Sequence, residues 1–392
     1  MKDRIMVLNL GSTSFKFKLF QEESLIAEGG FENLGKGAGT CSIRTKEVRW
    51  TEKREVFDHM EAFFLSLTWL KDQGVLLSME ELEAVGYKAV HAGALSGARV
   101  VDDGLLQVMK RYAGFAPAHN PVYIRLMERV REEWPELIQI GCFETSFHAD
   151  IPEKRTVYGV PDWWRRELGI RKYGFHGSSH SYIAWKMKQT DEKAVRLLSF
   201  HLGGSSSVCA ILDGKSIACS MGATPQSGVF QNNRVGEFDI FCLPELMKHY
   251  QGDWEEILTV LSSEGGLYGV SGISNDMRLL QEAADGGNAS AALAIDAYVD
   301  QLAGYAGMFS VYLKGVDALV FTGGIGLGSS RIRRKVCEEL SFLGVHLDED
   351  ANEKGEEGKI SSKDSPVAVY VWKTDEERMV MRQCREVLRS GV

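Results

Sequence analysis

Two short runs of glycine and hydroxyl side chains in this chain have the composition of phosphate-binding loops. Residues 9–14 (NLGSTS) follow one apolar run, and residues 201–206 (HLGGSS) follow another. A further strand-like run comes directly after each, which predicts two β-hairpins with glycine and serine at their tips. Glycine lets a backbone approach closely, and the N–H groups of a tip supply positive dipoles for phosphate oxygens. One such turn is usually an ordinary hairpin, but the repetition favours two loops that grip one polyphosphate.

A second group of polar side chains has the residue types that phosphoryl transfer needs. His176 and His180 lie four residues apart around a Gly-Ser-Ser run, and Arg234 lies in a long polar loop. A guanidinium matches phosphate oxygens in a bidentate manner, and an imidazole can donate to a phosphoryl oxygen. The residues alone leave other interpretations open: a histidine pair that caps a helix starting near Ser179, a zinc-binding histidine pair, or a solvated arginine.

A glycine-rich turn and two isolated carboxylates complete the candidates. Residues 323–326 (GGIG) follow the strand-like run 318–320. This pattern predicts either a tight turn or a flat floor for a nucleotide base or ribose, because side chains are missing there. The chain contains no GxxxxGK[ST] phosphate-binding loop. Glu144 and Glu376 are candidate magnesium ligands, and magnesium leaves a weak sequence trace because it is held mostly through water.

The elements that must position these residues alternate between strands and helices. Apolar runs predict strands at 5–9, 15–20, 24–32, 40–44, 47–50 and 84–91. Helical spacing predicts helices near 56–72, 103–113, 121–133, 181–189, 242–250, 276–284, 288–314, 330–343 and 375–389. The polar stretch 353–363 is predicted to be the most flexible loop. The pattern indicates an α/β protein with mixed sheets covered by helices.

Bulk composition limits the classes of function. With 392 residues the chain is too long for one ordinary core, so two domains are expected. A net charge of −9 without a basic run argues against nucleic acid or a membrane surface as partner. The N-terminus leads straight into a strand-like run, so we expect no targeting signal. Seven scattered cysteines without a CxxC pair indicate a reducing, cytoplasmic environment.

Segments of this chain resemble the motifs of the acetate kinase family and occur in the same order along the chain. That family belongs to the acetate/sugar kinase, heat-shock ATPase and actin superfamily. Ten collinear matches cover nearly the whole length: residues 9–16, 86–93, 116–121, 143–148, 169–180, 201–207, 220–236, 274–278, 321–326 and 374–377. The resemblance implies two actin-like (ribonuclease H-like) domains with a ligand cleft between them. It places the first domain at 1–148 with 371–392, and the second, nucleotide-binding domain at 149–370.

The same resemblance implies an activity and a role for each matching position. The family transfers the γ-phosphoryl group of ATP, with Mg²⁺ or Mn²⁺, reversibly to a short carboxylate, and it usually forms homodimers. Catalytic positions would be His176, Arg234, Lys88 and Asn9. The acyl pocket would comprise Lys88, Val90, Ala118, Phe175 and Pro225. Phosphate and nucleotide contacts would come from Ser12, Ser14, Lys16, His201, Gly203, Gly204, Ser205, Asp276, Met277, Arg278, Gly323, Gly324 and Ile325. Metal ligands would be Asn9, Glu144 and Glu376.

Several departures from the family pattern bear on the substrate. Lys88 stands where the family has arginine, and Glu144 where it has aspartate, so each charge is kept with a different geometry or reach. Ala118 replaces a leucine of the acyl pocket, which removes about three carbons and predicts a larger pocket. Residues 204–205 (Gly-Ser) replace Asn-Gly in the second loop. Residues 327–328 (Leu-Gly) replace Glu-Asn after the GGIG turn.

Three hypotheses follow from the retained and altered positions. The first is a carboxylate kinase whose acid is other than, or larger than, acetate. The second keeps the fold but uses another phosphoryl donor, such as pyrophosphate or GTP, or works towards ATP synthesis. The third is a catalytically weak relative that binds a nucleotide or metabolite as a sensor. The charge kept at Lys88 and Glu144 favours the first.

Overall fold

The computed structural model describes residues 2–95, 97–117 and 119–391. The chain forms two compact units. The first unit runs to Ser146 and resumes at Asp375, and the second comprises Phe147–Thr374. Each unit contains one mixed sheet with helical cover, which confirms the predicted α/β class. Each sheet is lined by its own buried apolar clusters.

The first unit contains an eight-stranded sheet. Its strands are β1 (Arg4–Leu10), β2 (Ser14–Gln21), β3 (Ser24–Glu32), β4 (Ala38–Thr45), β5 (Arg49–Glu55), β6 (Leu82–Ala89), β7 (Ala98–Val100) and β8 (Ile138–Phe143). Their order in the sheet is β5-β4-β3-β2-β1-β6-β8-β7. The five N-terminal strands form an antiparallel meander, whereas β1, β6 and β8 are parallel. The carboxyl ends of these three strands therefore meet at one edge.

Three helices follow the N-terminal strands: α1 (His59–Asp72), α2 (Asp103–Arg111) and α3 (Asn120–Glu133). The Asp58 side chain accepts from the Glu61 N–H, so a capping carboxylate begins α1 at His59, slightly after the predicted start. In α3, Pro121 lies in the first turn, where a proline costs no helical hydrogen bond. Asn120 is the first residue of this helix, and its side chain donates to the His91 carbonyl instead of capping the helix.

The second unit contains a six-stranded sheet in the order β11-β10-β9-β12-β14-β13. Its strands are β9 (Arg196–Leu202), β10 (Ser206–Leu212), β11 (Lys215–Cys219), β12 (Ala318–Thr322), β13 (Gly358–Lys359) and β14 (Ala368–Val371). Its helices are α4 (Asp162–Leu168), α5 (Gly177–Thr190), α6 (Leu243–His249), α7 (Trp254–Ser263), α8 (Gly266–Ser271), α9 (Met277–Asp285), α10 (Ala289–Leu313), α11 (Gly323–Gly328), α12 (Ser330–Glu339) and α13 (Glu349–Lys354).

Short elements account for the differences from the sequence prediction. Helices α4, α7, α8, α11 and α13 and the strands β7, β8, β11, β13 and β14 were not predicted. Most of these helices span fewer than two turns and most of these strands are very short, so they carry little periodicity. The GGIG segment is not an isolated tight turn, since it forms the start of α11. The stretch 353–363 contains the end of α13 and all of β13, so its description as one long loop was wrong.

The C-terminal helix α14 (Glu376–Arg389) packs against the sheet of the first unit. Val380, Met381 and Cys384 lie in one buried cluster with Ile5, Val7, Ala84 and Ile140. Helix and strand approach closely at Gly86 in β6, where an added Cβ would lie 2.6 Å from the Cys384 Sγ. The sheet therefore fixes the first turn of α14, which carries Glu376 and Glu377. Within the described residues, no helix is both long and apolar enough for a membrane crossing.

Candidate active site

The first glycine and serine loop is the tip of a hairpin, as predicted. Strands β1 and β2 pair antiparallel with Leu10 opposite Phe15, and the Gly11 N–H donates to the Ser14 carbonyl at 2.8 Å. Ser12 is exposed and Ser14 half-buried at this tip. Lys16 is exposed and lies directly across from Asn9, so both side chains are on one face of the sheet.

Asn9 lies at the centre of a charged group at the edge of that sheet. Its amide donates to Glu377 Oε1 at 2.8 Å. The Lys18 ammonium lies 2.6 Å from Asp375 and 3.2 Å from Glu377. Burial opposes the charge of Lys18, but these two carboxylates outweigh it and raise the pKa of Lys18.

The sequence reasoning missed three members of this group: Lys18, Asp375 and Glu377. Two signals were available. Lys18 follows Lys16 at the period of two that places both on one strand face. Asp375 and Glu377 flank Glu376 at the start of a helix, where carboxylates are favoured by the helix dipole.

Lys88 at the end of β6 lies between two of the predicted metal ligands. Its Nζ is 2.6 Å from Glu376 Oε2 and 3.8 Å from Glu144 Oε1. Burial disfavours the ammonium form, but the charges of Glu144 and Glu376 more than compensate and raise the pKa of Lys88 above its ordinary value. Lys88 is therefore a cation at neutral pH. Its two partners come from the end of β8 and the first turn of α14.

The acyl-pocket candidates are divided between the two units. Val90 is half-buried beside Lys88 in the first unit, and Ala118 lies outside the described residues. Near that position, the Asn120 amide donates to the carbonyls of His91 and Met109 at 2.8 and 3.0 Å. These bonds hold the start of α3 against the segments that carry His91 and Met109.

The other two acyl-pocket candidates belong to the second unit. Phe175 is buried there, and its carbonyl accepts from His148 Nε2 at 2.8 Å. The Pro225 carbonyl accepts from the side chains of Gln231 and Arg234. Both backbones are therefore held by polar side chains of the same unit.

His176 takes the position before the first turn of α5 without capping it. Its backbone is left-handed, with φ of 57°, and its side chain makes no capping bond. The interpretation of a capping histidine pair was therefore wrong. Instead, His176 Nδ1 lies 2.8 Å from the Ser207 hydroxyl at the start of β10.

The Ser207 hydroxyl also lies 2.8 Å from His180 Nε2, and His180 Nδ1 lies 2.9 Å from the Ser199 hydroxyl. Burial lowers the pKa of His180 well below its ordinary value, so its ring is neutral and carries one N–H. Ser207 has a single proton to donate, so the protonation of one histidine nitrogen beside it affects the other. Among the described residues, no group of three or more histidine, cysteine or acidic side chains could hold a metal ion, which argues against the zinc interpretation.

His201 lies beside His176 in the same unit. The two rings stack with centroids 4.1 Å apart, and His201 Nδ1 is 2.8 Å from the Ser179 hydroxyl. His201 is the last residue but one of β9 and the first residue of the second glycine and serine loop. The antiparallel pairing of β9 and β10 confirms the hairpin predicted for this loop. Strand β9 and helix α5 thus bring His176, His180 and His201 together.

Arg234 is held by the tip of the same hairpin. Its Nη1 donates to the Ser205 hydroxyl at 3.1 Å, the Gln231 side chain at 3.2 Å and the Pro225 carbonyl at 3.3 Å. Burial lowers the pKa of Arg234, but a guanidinium keeps its charge in proteins. The polar loop therefore does not leave Arg234 solvated. Gln231 is a further positioning residue that the sequence reasoning missed.

A cleft of about 510 Å³ lies next to this hairpin. Its lining includes seven of the predicted nucleotide-binding residues: Gly203, Gly204, Asp276, Met277, Arg278, Gly324 and Ile325. Five further lining residues were not predicted: Asn232, Asn275, Gln281, Gly328 and Ser329. Asp276 caps α9 and pairs with Arg278, which lowers the pKa of the Asp276 carboxyl to about 2.

Gly323 precedes the cleft-lining glycine of α11. It has φ of 80°, and an added Cβ would lie 2.4 Å from the Leu202 carbonyl oxygen. Only glycine fits this junction between β12 and α11, because both the backbone conformation and the space exclude a side chain. The junction brings Gly324 beside Gly203, so two segments distant in sequence form one wall of the cleft.

Comparison with known proteins identifies the family of this chain. The sequence model of the Acetokinase family matches residues 4–382. A propionate kinase of Citrobacter rodentium is 37% identical over 99% of this chain and 97% of its own length. An acetate kinase of Halothermothrix orenii is 36% identical over 99% of this chain and its whole length. The crystal structure of a propionate kinase from Francisella tularensis superposes with a TM-score of 0.90 at 30% identity, covering 97% of this chain and 98% of the other.

The fold and the matched length define a phosphotransferase that uses a carboxyl group as acceptor. The chain belongs to the acetokinase family. The family resemblance predicted from the sequence is thereby confirmed.

Proposed function

We propose that this protein transfers the γ-phosphoryl group of ATP reversibly to a short-chain carboxylate other than, or larger than, acetate. The observation that carries the proposal is the placement of His176 and Arg234. Hydroxyls two residues apart on one hairpin, Ser207 and Ser205, hold them beside the cleft that Gly203 and Gly204 line. A cation and a hydrogen-bond donor are thus fixed next to a cleft suited to a nucleotide.

The proposed chemistry needs no general base. A carboxylate is ionised at neutral pH, so one of its oxygens attacks the γ-phosphorus in line while the bond to the ADP oxygen breaks. Arg234 and His176 stabilise the charge on the equatorial oxygens, and Lys88 neutralises the incoming carboxylate. Arg234 and His176 are held in place before the substrate arrives, so positioning and preorganised charge supply the catalysis.

A magnesium or manganese ion is part of this proposal. Glu144 and Glu376 contact the same ammonium, so their carboxylates already face one cation position. This donor set fits Mg²⁺, which is bound by one or two carboxylates together with water and substrate phosphates. Asn9 is the third proposed ligand, through the oxygen of the amide whose nitrogen bonds Glu377. When bound, the ion would neutralise charge on the phosphates.

The substrate preference rests on Lys88 and on the alanine at position 118. Related proteins described as acetate kinases and as propionate kinases match this chain at nearly equal identity, so similarity does not separate the two acids. A panel of C2–C6 acids with ATP tests the proposal. We expect an acid larger than acetate to give the highest kcat/KM. Acetate as by far the best substrate would contradict the larger pocket.

The phosphoryl donor is tested separately. Gly204 and Gly328 line the cleft without side chains, at two positions where the family pattern differs. In a competition binding experiment, ATP should displace a bound nucleotide probe at a lower concentration than GTP or pyrophosphate does. Tighter binding of GTP or pyrophosphate would favour the alternative donor, and ATP binding without transfer to any acid would favour the weak relative.

We also propose that the two units correspond to two actin-like domains and that the protein is a cytoplasmic homodimer. Support comes from the family, whose members usually have this organisation, and from the scattered cysteines, all of which are free thiols. Light scattering of the purified protein should give about twice the chain mass of 43.6 kDa. A monomer at micromolar concentration would contradict the dimer.

A further inference from the structure

Lys88 occupies the position that the proposed function assigns to a divalent cation. Its ammonium contacts both Glu376 and Glu144, at 2.6 and 3.8 Å. The three side chains keep only 7–18% of their surface exposed. Two buried carboxylates without a cation would repel each other, so the ammonium stabilises the pair.

A divalent ion bound to either carboxylate would lie within a few ångströms of this ammonium. Like charges at that separation repel strongly where little water screens them. Keeping both the ion and the ammonium on Glu376 is therefore unfavourable, even though a carboxylate has two oxygens. The doubly charged ion attracts the carboxylates more strongly than the ammonium does, and the flexible Lys88 side chain can swing away.

We propose that Lys88 is a displaceable counter-cation. It pairs with Glu144 and Glu376 until a divalent ion takes its place, and the released ammonium then receives the carboxylate of the acyl acceptor. The first half of this statement stands on the contacts of Lys88. The second half rests on the proposed carboxylate kinase activity.

The lysine at position 88 and the glutamate at position 144 suit an exchange of cations. Lysine is a compact charge on a four-carbon stem and can change partners by rotating, whereas arginine at a bidentate site is held more rigidly. Glu144 carries its carboxylate one carbon further from the backbone than aspartate would, which brings it to 3.8 Å from the ammonium. Metal with nucleotide should therefore bind first and the acid second.

Titration with Mn²⁺ of the nucleotide-free protein tests the first half, with free Mn²⁺ measured by electron paramagnetic resonance. Lys88→Gln should bind Mn²⁺ about tenfold or more tightly than the wild type, because the competing charge is gone. Lys88→Arg is the matched control and should show no such gain. In Lys88→Gln combined with Glu376→Gln, the gain should disappear, which locates the ion. Equal Mn²⁺ affinity of the wild type and Lys88→Gln would overturn the proposal.

A second measurement needs no substitution and holds even where Lys88→Gln fails to fold. Crystals of the wild-type protein with Mn²⁺ and ADP should show anomalous density at Glu376, with Lys88 Nζ moved beyond hydrogen-bond distance. Manganese on Glu376 with Lys88 still paired there, or manganese away from Glu376, would overturn the proposal. Neither measurement uses phosphoryl transfer, so a negative acid panel would contradict the proposed function and leave this result intact.

Discussion

Ser205 directly precedes β10 and Ser207 is the second residue of that strand, and their hydroxyls bind Arg234 and His176. At the scale of single residues, these hydroxyls connect the second loop to both groups proposed to contact the phosphoryl oxygens. Where the family pattern has glycine, Ser205 adds a hydroxyl that also donates to Gln231 at 2.6 Å. Compared with the family pattern, the loop thus lacks an asparagine and gains a hydroxyl that binds the guanidinium of Arg234.

Replacing Ser205 with alanine should lower kcat by about tenfold while the KM for the acid changes less. The reason is that a hydrogen bond to a charged group contributes about 1.5–3 kcal/mol, and its loss lets Arg234 leave the geometry needed in the transition state. Steady-state kinetics with saturating ATP measure the effect. Ser205→Thr keeps the hydroxyl and should recover most of the rate, whereas the same kcat in all three proteins would contradict a positioning role.

At the scale of elements, β6 and α14 together place the charged group of the first unit. Lys88 is the last residue but one of β6, and it contacts Glu376, the first residue of α14. The close approach of the two elements at Gly86 sets the distance between them, because the Cys384 Sγ occupies the space of a side chain there. The buried contact between Gly86 and Cys384 thus determines how close Lys88 and Glu376 lie to each other.

Gly86→Ala should therefore disturb both stability and the Lys88 contact. The added Cβ would lie 2.6 Å from the Cys384 Sγ and 3.2 Å from Val380 Cγ1, and overpacking of this kind costs about 1–3 kcal/mol. Denaturant unfolding measures the loss. A matched variant, Gly86→Ala with Cys384→Ala, makes room for the methyl group and should recover part of the stability. Wild-type stability of the single variant would show that α14 is not held at this contact.

At the scale of the whole molecule, buried ionisable groups in both units predict sensitivity to acid. Burial lowers the pKa of His148 to about 4, against about 6.5 for a histidine in an unfolded chain. Between these two values the unfolded chain binds a proton on His148 that the native protein does not bind. The free energy of unfolding therefore falls as the pH decreases from 6.5 towards 4. Glu377 acts in the same direction: burial raises its pKa, but Lys18 and Asn9 outweigh that effect and lower it, and its stabilisation is lost on protonation.

We expect His148 alone to make the protein about 2 kcal/mol less stable at pH 5 than at pH 7.5. Urea unfolding at the two pH values measures this difference. His148→Gln keeps a donor for the Phe175 carbonyl without titrating, so its loss on acidification should be smaller. His249→Gln at an exposed position is the control. The same loss in His148→Gln and wild type would assign the acid sensitivity to other groups.

The sequence by itself determined the alternation of elements, the two hairpins and the family. These features follow from local patterns. Apolar periodicity predicts the helices α1, α3 and α10 and the buried face of α14. Glycine and hydroxyl side chains predict the tips of the two hairpins. Short helices such as α11 escaped prediction, because a run of glycines has no periodicity and its conformation is set by contact with Leu202.

Only the tertiary structure decided which side chains hold the predicted site residues. Ser207 meets His176 across 31 positions, Asn9 meets Glu377 across 368, and Lys88 meets Glu376 in a helix at the other end of the chain. Such pairs leave no local pattern, since each residue alone is an ordinary serine, lysine or acid. Burial then fixes their charges, because a pKa depends on neighbours that folding brings together. The sequence could propose the residues of the site, but it could not show which side chains hold them.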